Sequence, residues 1–160
     1  ATPQRALQVA FSSPYAALAI GVFGPEGAPV TAPGEIGDLT VGVARGTTQD
    51  IELTALAPDA NIMRFEDDAT AAAAYLSGQV DLLATANIVT QDLAKKHPDK
   101  EFAAKFIIRF SPAHIAFRQG NPELGRWLDV FVFYNKMNGK LSELSEKWLG
   151  TPLPSDFPSL

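Results

Sequence analysis

Residues 40–84 read TVGVARGTTQDIELTALAPDANIMRFEDDATAAAAYLSGQVDLLA, and the rhythm of this stretch decides the fold. Thr40–Ala44 (TVGVA) is short and rich in β-branched residues, so it predicts a strand. It runs into Arg45-Gly46-Thr47-Thr48. Thr47 or Thr48 can cap a following helix there, because a hydroxyl accepts from a free first-turn N–H. Asn61–Phe65 predicts a second strand; Asp68 or Thr70 then opens a helix through Tyr75 and Leu76, which Gly78 stops. Val80–Ala84 predicts a third strand, and Ile88–Lys96 a helix closed by His97-Pro98. Strands alternating with helices of this length argue for βαβ units, an α/β fold and a mostly parallel sheet with helices on both faces.

Upstream, Arg5–Phe11 reads as a short helix or loop feeding a strand, and Pro14 marks a break. Ala16–Phe23 is small, apolar and bounded by Gly24-Pro25, which predicts a buried strand. The Gly- and Pro-rich residues from Gly24 to Gly37 predict a surface connection. Downstream, Phe106–Phe110 and His114–Arg118 predict two strands split by Ser111-Pro112. Pro122 starts a helix carrying Leu124, Leu128, Phe131 and Val132; after Asn138-Gly139 a second carries Leu141, Leu144 and Trp148. Trp127, Phe131 and Trp148 fall at helical spacing and are expected in the core.

The composition removes whole classes of function. With 13 Lys+Arg against 18 Asp+Glu the chain carries −5, the wrong sign for a nucleic-acid footprint. No cysteine means no disulfide, thiol nucleophile or Cys-based zinc site. Two histidines, His97 and His114, show no metal-ligand spacing, no Ser-His-Asp or phosphate-loop pattern occurs, and no cofactor is implied. No apolar run reaches bilayer length. The chain starts at Ala1 without an initiator Met, so a processed or cut N-terminus is expected, with any signal peptide removed.

Four segments in order resemble the family 3 extracellular solute-binding proteins of amino-acid importers. They are TPQRALQVAFSSPY (Thr2–Tyr15), VGVARGTTQD (Val41–Asp50), AAAAYLSGQVDLLAT (Ala71–Thr85) and the ending FRQGNPEL with NGKLSELSEKWLG (Asn138–Gly150). The resemblance implies a periplasmic-binding-protein-like fold: two α/β lobes joined by two crossing strands, gripping a ligand between them. It places the end of the first lobe and first crossing strand in residues 1–23, a complete second lobe in 24–112, and the second crossing strand with C-terminal first-lobe helices in 113–160. The first lobe's opening segment is then absent. Its uncovered helices would expose Leu124, Leu128, Phe131, Val132, Leu144 and Trp148, and a homodimer through them is the expected remedy.

The resemblance also implies roles for single residues. Arg5, in TPQR, matches an arginine that grips the ligand's α-carboxylate, a task suited to the planar two-pronged guanidinium. Taken without its motif, Arg5 is a solvated residue near a chain end. Gly46, Thr47 and Thr48 match the second lobe's carboxylate clamp, where a helix start favours an anion; the plainer reading is an N-cap, and one threonine can cap while its neighbour faces the cleft. Ala86 departs from the pattern, since the family places an ammonium-binding aspartate five residues after Asp81. Burying an ammonium without its counter-charge is costly. Either another carboxylate substitutes, or the ligand has no α-ammonium; Asn87 offers only a neutral amide oxygen. Weak or absent binding of standard α-amino acids follows, with organic acids, or solutes with charge placed elsewhere, the better guesses. Glu66-Asp67-Asp68 reads as acids complementing a helix dipole.

The implied function is periplasmic capture of a small polar solute, an amino acid or organic acid, for an ABC permease in the inner membrane, without catalysis. Two alternatives use the same fold. One is a dehydratase, for which no convincing general acid or base is found. The other is a ligand-sensing receptor module, against which the KWLG ending and proline-rich tail argue as a free C-terminus.

Overall fold

The computed structural model describes residues 1–150, 152, 153 and 157. In chain order it contains α1 (Pro3–Ala6), β1 (Ala10–Phe11), β2 (Ala16–Gly24), a single 3-10 turn at Pro33–Glu35, β3 (Thr40–Ala44), α2 (Thr48–Leu56) and β4 (Asn61–Phe65). These are followed by α3 (Asp68–Ser77), β5 (Leu82–Ala86), α4 (Asn87–Lys96), β6 (Ala103–Ala113), β7 (Ala116–Phe117), α5 (Pro122–Met137) and α6 (Lys140–Leu149). The chain forms two compact units: Ala19–Phe110, and Ala1–Leu18 together with the described residues from Ser111 onward. It passes from one to the other within β2 and returns within β6. Most of the proline-rich tail lies outside the described residues.

The unit Ala19–Phe110 is built on one sheet of order β4-β3-β5-β2-β6. β3 runs parallel to both neighbours, with Val41 opposite Ile62 and Leu82; β2 joins β5 antiparallel, Ile20 opposite Ala86. The sheet is therefore mixed: β3, β4 and β5 run parallel, and β2 enters from the opposite direction. Alternate residues of a strand point to opposite faces, and two apolar clusters follow that alternation. Val41, Val43, Leu82 and Ala84 pack with Val22 and with Leu53 and Ala57 from α2 and its end. Leu83 packs instead with Ala71, Ala72, Ala74 and Tyr75 of α3, and with Val80. Helices thus cover both faces. Burying side chains such as Leu53, Leu82 and Val43 stabilises by roughly 1.5–3 kcal/mol each.

Several sequence expectations are corrected here. The Gly24–Gly37 connection is not merely surface, since Val30 and Ile36 are buried in the first cluster. The helix α3 does open at Asp68, one of the two expected openings, and Asp67 before it is the cap. Asp67 accepts from the Thr70 N–H while the Thr70 hydroxyl accepts from the Asp67 N–H, a reciprocal pair that satisfies two otherwise free donors. The third strand begins at Leu82 rather than Val80. Asp81 Oδ2 accepts the Thr40 N–H at 2.8 Å, pinning the start of β3 to the approach of β5. Ser111-Pro112 does not split the last long strand. β6 lies at the sheet edge, where a missing proline N–H costs no ladder bond, so it continues to Ala113 and leaves only the two-residue β7 beyond.

In the other unit β1 and β7 form a two-residue antiparallel ladder, Ala10 opposite Phe117. The Ser13 N–H and hydroxyl both donate to Asp129 of α5, at 2.7 and 2.9 Å. Asn121 caps α5, and Gly139 and Gly150, both left-handed, bound α6. Leu128, Val132, Leu141 and Leu149 are buried. Trp127, Phe131 and Trp148 are not core: they are 59%, 45% and 58% exposed, because no sheet layer covers that side of α5 and α6 among the described residues. Of the six side chains expected to be uncovered, Leu124, Phe131, Leu144 and Trp148 are exposed, while Leu128 and Val132 find cover within the unit.

Candidate functional site

The C-terminal end of β3 carries a polar arrangement built from the turn and the start of α2. At Gly46 the backbone takes a φ of 71°, a left-handed turn that suits glycine. The Thr47 hydroxyl donates to the Ala44 carbonyl at 2.6 Å and accepts the Asp50 N–H at 3.4 Å, so Thr47 is the helix cap. The Gly46 N–H donates to Asp50 Oδ2 at 2.9 Å. Two of the three predicted clamp residues are therefore committed within the turn. What remains is the N–H groups of Thr48 and Gln49 and the Thr48 hydroxyl, none of which has a hydrogen-bond partner among the described residues. Unpaired donors at a helix start are the elements of an anion site.

An ion pair between a buried acid and an exposed arginine holds this turn. Asp50 Oδ1 accepts from Arg64 Nε at 2.8 Å, and Asp50 is buried. Arg64 Nη2 also donates to the Thr54 hydroxyl at 2.7 Å, which donates in turn to the Asp50 carbonyl at 2.7 Å. Arg64 of β4 thus fixes Asp50, and Asp50 fixes Gly46. Sequence reasoning missed both residues; the signal available was an acid four positions after a glycine at a strand–helix turn.

A second polar group bridges strand ends. Asp68 begins α3, yet its Oδ1 accepts from the Thr85 hydroxyl of β5 at 3.3 Å and from Gln49 Nε2 of α2 at 3.5 Å. Thr85 and Gln49 are 1% and 7% exposed. Ala86 is the N-cap of α4 and provides no side-chain cap, while Asn87 Oδ1 accepts the Ala19 N–H at 3.2 Å, tying the start of α4 to β2. Asp67, the cap of α3, is held below the usual carboxylate range by the Thr70 N–H first and the Thr70 hydroxyl second.

Arg5 belongs to the other unit. It lies on α1, exposed, its backbone N–H accepted by the Thr2 hydroxyl at 3.3 Å. His114 Nδ1 lies 2.7 Å from the Ser12 carbonyl, which can only accept, so Nδ1 carries the proton and the ring is a structural tie. His97 caps α4 through its backbone. Among the described residues no group of three or more His, Cys, Asp or Glu could hold a metal ion.

The model of bacterial extracellular solute-binding proteins, family 3, matches residues 1–151. The chain is 26% identical over 149 residues to the ABC transporter glutamine-binding protein GlnH of Bacillus subtilis (strain 168), covering 92% of this chain and 54% of that protein. It is 27% identical over 150 residues to the L-cystine-binding protein TcyJ of Escherichia coli (strain K12), covering 92% and 56%. A crystal structure of the solute receptors for L-cysteine of Neisseria gonorrhoeae superposes with a TM-score of 0.73 at 30% identity, covering 93% of this chain and 61% of that one. The chain spans about half the length of the curated relatives it matches. With a periplasmic-binding-protein-like α/β fold and a family match along nearly its whole length, this chain belongs to the bacterial extracellular solute-binding proteins, family 3.

Proposed function

We propose that this chain is part of the capture component of an ABC importer, taking up a small polar, carboxylate-bearing solute in the periplasm and delivering it to an inner-membrane permease. The unit Ala19–Phe110 is read as the second lobe, and the other unit as the remaining part of the first. The observation that carries the reading is the end of β3. There the N–H groups of Thr48 and Gln49 and the Thr48 hydroxyl have no partner among the described residues, on a turn held by Asp50 and Arg64. A carboxylate satisfies such donors, and the positive end of α2 adds to the attraction. Thr47 supports the subsite by capping; Arg5 is the proposed guanidinium partner of the carboxylate. Ala86 and Asn87 close the site's β5 side without a charge.

Calorimetry on the complete protein tests this. L-glutamine and L-cysteine, the kinds of solute its relatives are named for, are the first probes. Thr48→Val removes a donor and Arg5→Ala removes a charged one. Loss of the charged bond should cost roughly 1.5–3 kcal/mol, about tenfold to a hundredfold in affinity. Carboxylate binding unchanged in both variants would remove these residues from the site.

A further inference from the structure

We propose that Asp68 is the acceptor for a cationic nitrogen of the solute, so that the captured molecule carries a positive group beside its carboxylate rather than being a plain organic acid. The inference rests on the end of β3 being the carboxylate subsite. Its evidence is where Asp68 reaches. β3 lies between β4 and β5, and Asp68 follows β4, yet its carboxylate bonds to Thr85 on β5. The carboxylate therefore lies across the end of the central strand, where the Arg45–Thr48 turn departs. Thr85 and Gln49, both more than nine-tenths buried, direct their donors at Oδ1 and leave Oδ2 without a partner among the described residues. Gln49 also links the two halves of the arrangement: its backbone N–H is one of the free donors, and its side chain holds the acceptor.

Two of the neighbouring acids are otherwise engaged. Asp50 is paired with Arg64 and Gly46, and Asp67 with Thr70. Glu66 is exposed, and position 86 offers only a methyl group. Unpaired donors and one fixed anionic acceptor at a single strand end complement a small molecule bearing both charges. A dicarboxylate would instead set like charges against each other at Asp68, which Coulomb repulsion disfavours. Of the two alternatives that Ala86 leaves open, the geometry points to the substitute carboxylate.

The test uses matched probes on the complete protein at neutral pH: L-glutamine, L-cysteine and L-arginine, each beside the desamino acid that lacks only its α-ammonium. The expected result is that at least one amino acid binds roughly tenfold or more tighter than its desamino counterpart. In Asp68→Asn that preference should shrink to about twofold or less, while the desamino acid binds as before or better. Restoring a carboxylate in Asp68→Asn/Ala86→Asp should return the preference, which a merely structural role for Asp68 would not do. Asp68→Ser serves if the Asn variant fails to fold. A preference that survives loss of the Asp68 carboxylate, or a wild type favouring the desamino acids, overturns the proposal and leaves the carboxylate subsite standing. Absence of binding by both series overturns the reading of the β3 end, and this proposal with it.

Discussion

The two units are rich in apolar side chains and differ in what they do with them. In Ala19–Phe110 a five-stranded sheet separates two apolar clusters, and Leu53, Leu82, Val41 and Val43 are fully buried. In the other unit α5 and α6 carry several large apolar side chains, yet Trp127, Val130, Phe133, Tyr134, Met137 and Trp148 remain exposed. The difference lies in the second layer. A helix buries one stripe against whatever lies opposite, and a two-residue β1–β7 ladder offers little. Apolar content therefore says which residues can enter a core; the count and length of strands says whether a core exists.

The largest test of that contrast is a pair of truncations. Leu53→Ala should destabilise by about 2–5 kcal/mol, since the cavity is enclosed by α2 and the sheet. Phe133→Ala removes more carbon but from an exposed side chain, and should change stability by only about 0.5 kcal/mol. Urea titrations of both variants measure the two shifts. A large loss from Phe133→Ala would mean that the α5 face is covered in the native protein and would erase the contrast.

Two glycines sharpen it at lower amplitude. A Cβ at Gly21 would sit 2.7 Å from the backbone oxygen of Phe106, and backbone cannot step aside between β2 and β6. Gly21→Ala should cost about 1–3 kcal/mol. At Gly125 the obstacle is the Phe117 ring tip at 2.9 Å, the movable end of a side chain in a thinly covered unit. Helix propensity favours alanine there by about 0.5–1 kcal/mol. Gly125→Ala should thus be neutral or stabilising; thermal melts of the pair would contradict the comparison if their order were reversed.

How much of this was legible beforehand depended on the range of the forces involved. The alternation of β3, α2, β4, α3, β5 and α4 is written locally, in runs such as TVGVA and in stops such as Gly78, and those elements stand within a residue or two of expectation. Three things were not local. Pro112 reads as a breaker, but whether a missing N–H matters depends on β6 being an edge strand. Trp127 and Phe131 sit at core spacing, but spacing cannot reveal that no layer faces them. At the site, Gly46, Thr47 and Thr48 were visible as a strand–turn–helix motif. The Arg64–Asp50 pair and the Asp68–Thr85 contact join residues 14 and 17 apart on different elements, which no short motif records.

The well-packed unit also holds an unimproved position at its candidate site. Ala86 begins α4 without a side-chain cap. Aspartate at an N-cap accepts a first-turn N–H and faces the positive helix end, so Ala86→Asp should stabilise by about 0.5–2 kcal/mol. A rise in melting temperature would show that packing alone has not maximised stability at this strand end. A fall would mean that the β5 end cannot accommodate a carboxylate, and would set Ala86 apart as a steric choice.

The smallest effect concerns Asp67, where a cap already exists. Its carboxylate is held below its ordinary range by the Thr70 N–H and hydroxyl, so the folded state binds that proton less readily than the unfolded chain. A depressed folded pKa gives stability that is present above the unfolded value, near pH 4, and lost as pH falls through the folded one. Asn caps equally well but does not titrate in this range. Wild type and Asp67→Asn should therefore melt alike at pH 7 and diverge in strong acid, where the wild type loses a charge-dependent contribution and the variant keeps its uncharged cap. The group is fully exposed, so the divergence is small and should shrink further in high salt. Parallel curves down to pH 2 would show that the reciprocal cap holds α3 through its geometry alone, with the charge contributing nothing.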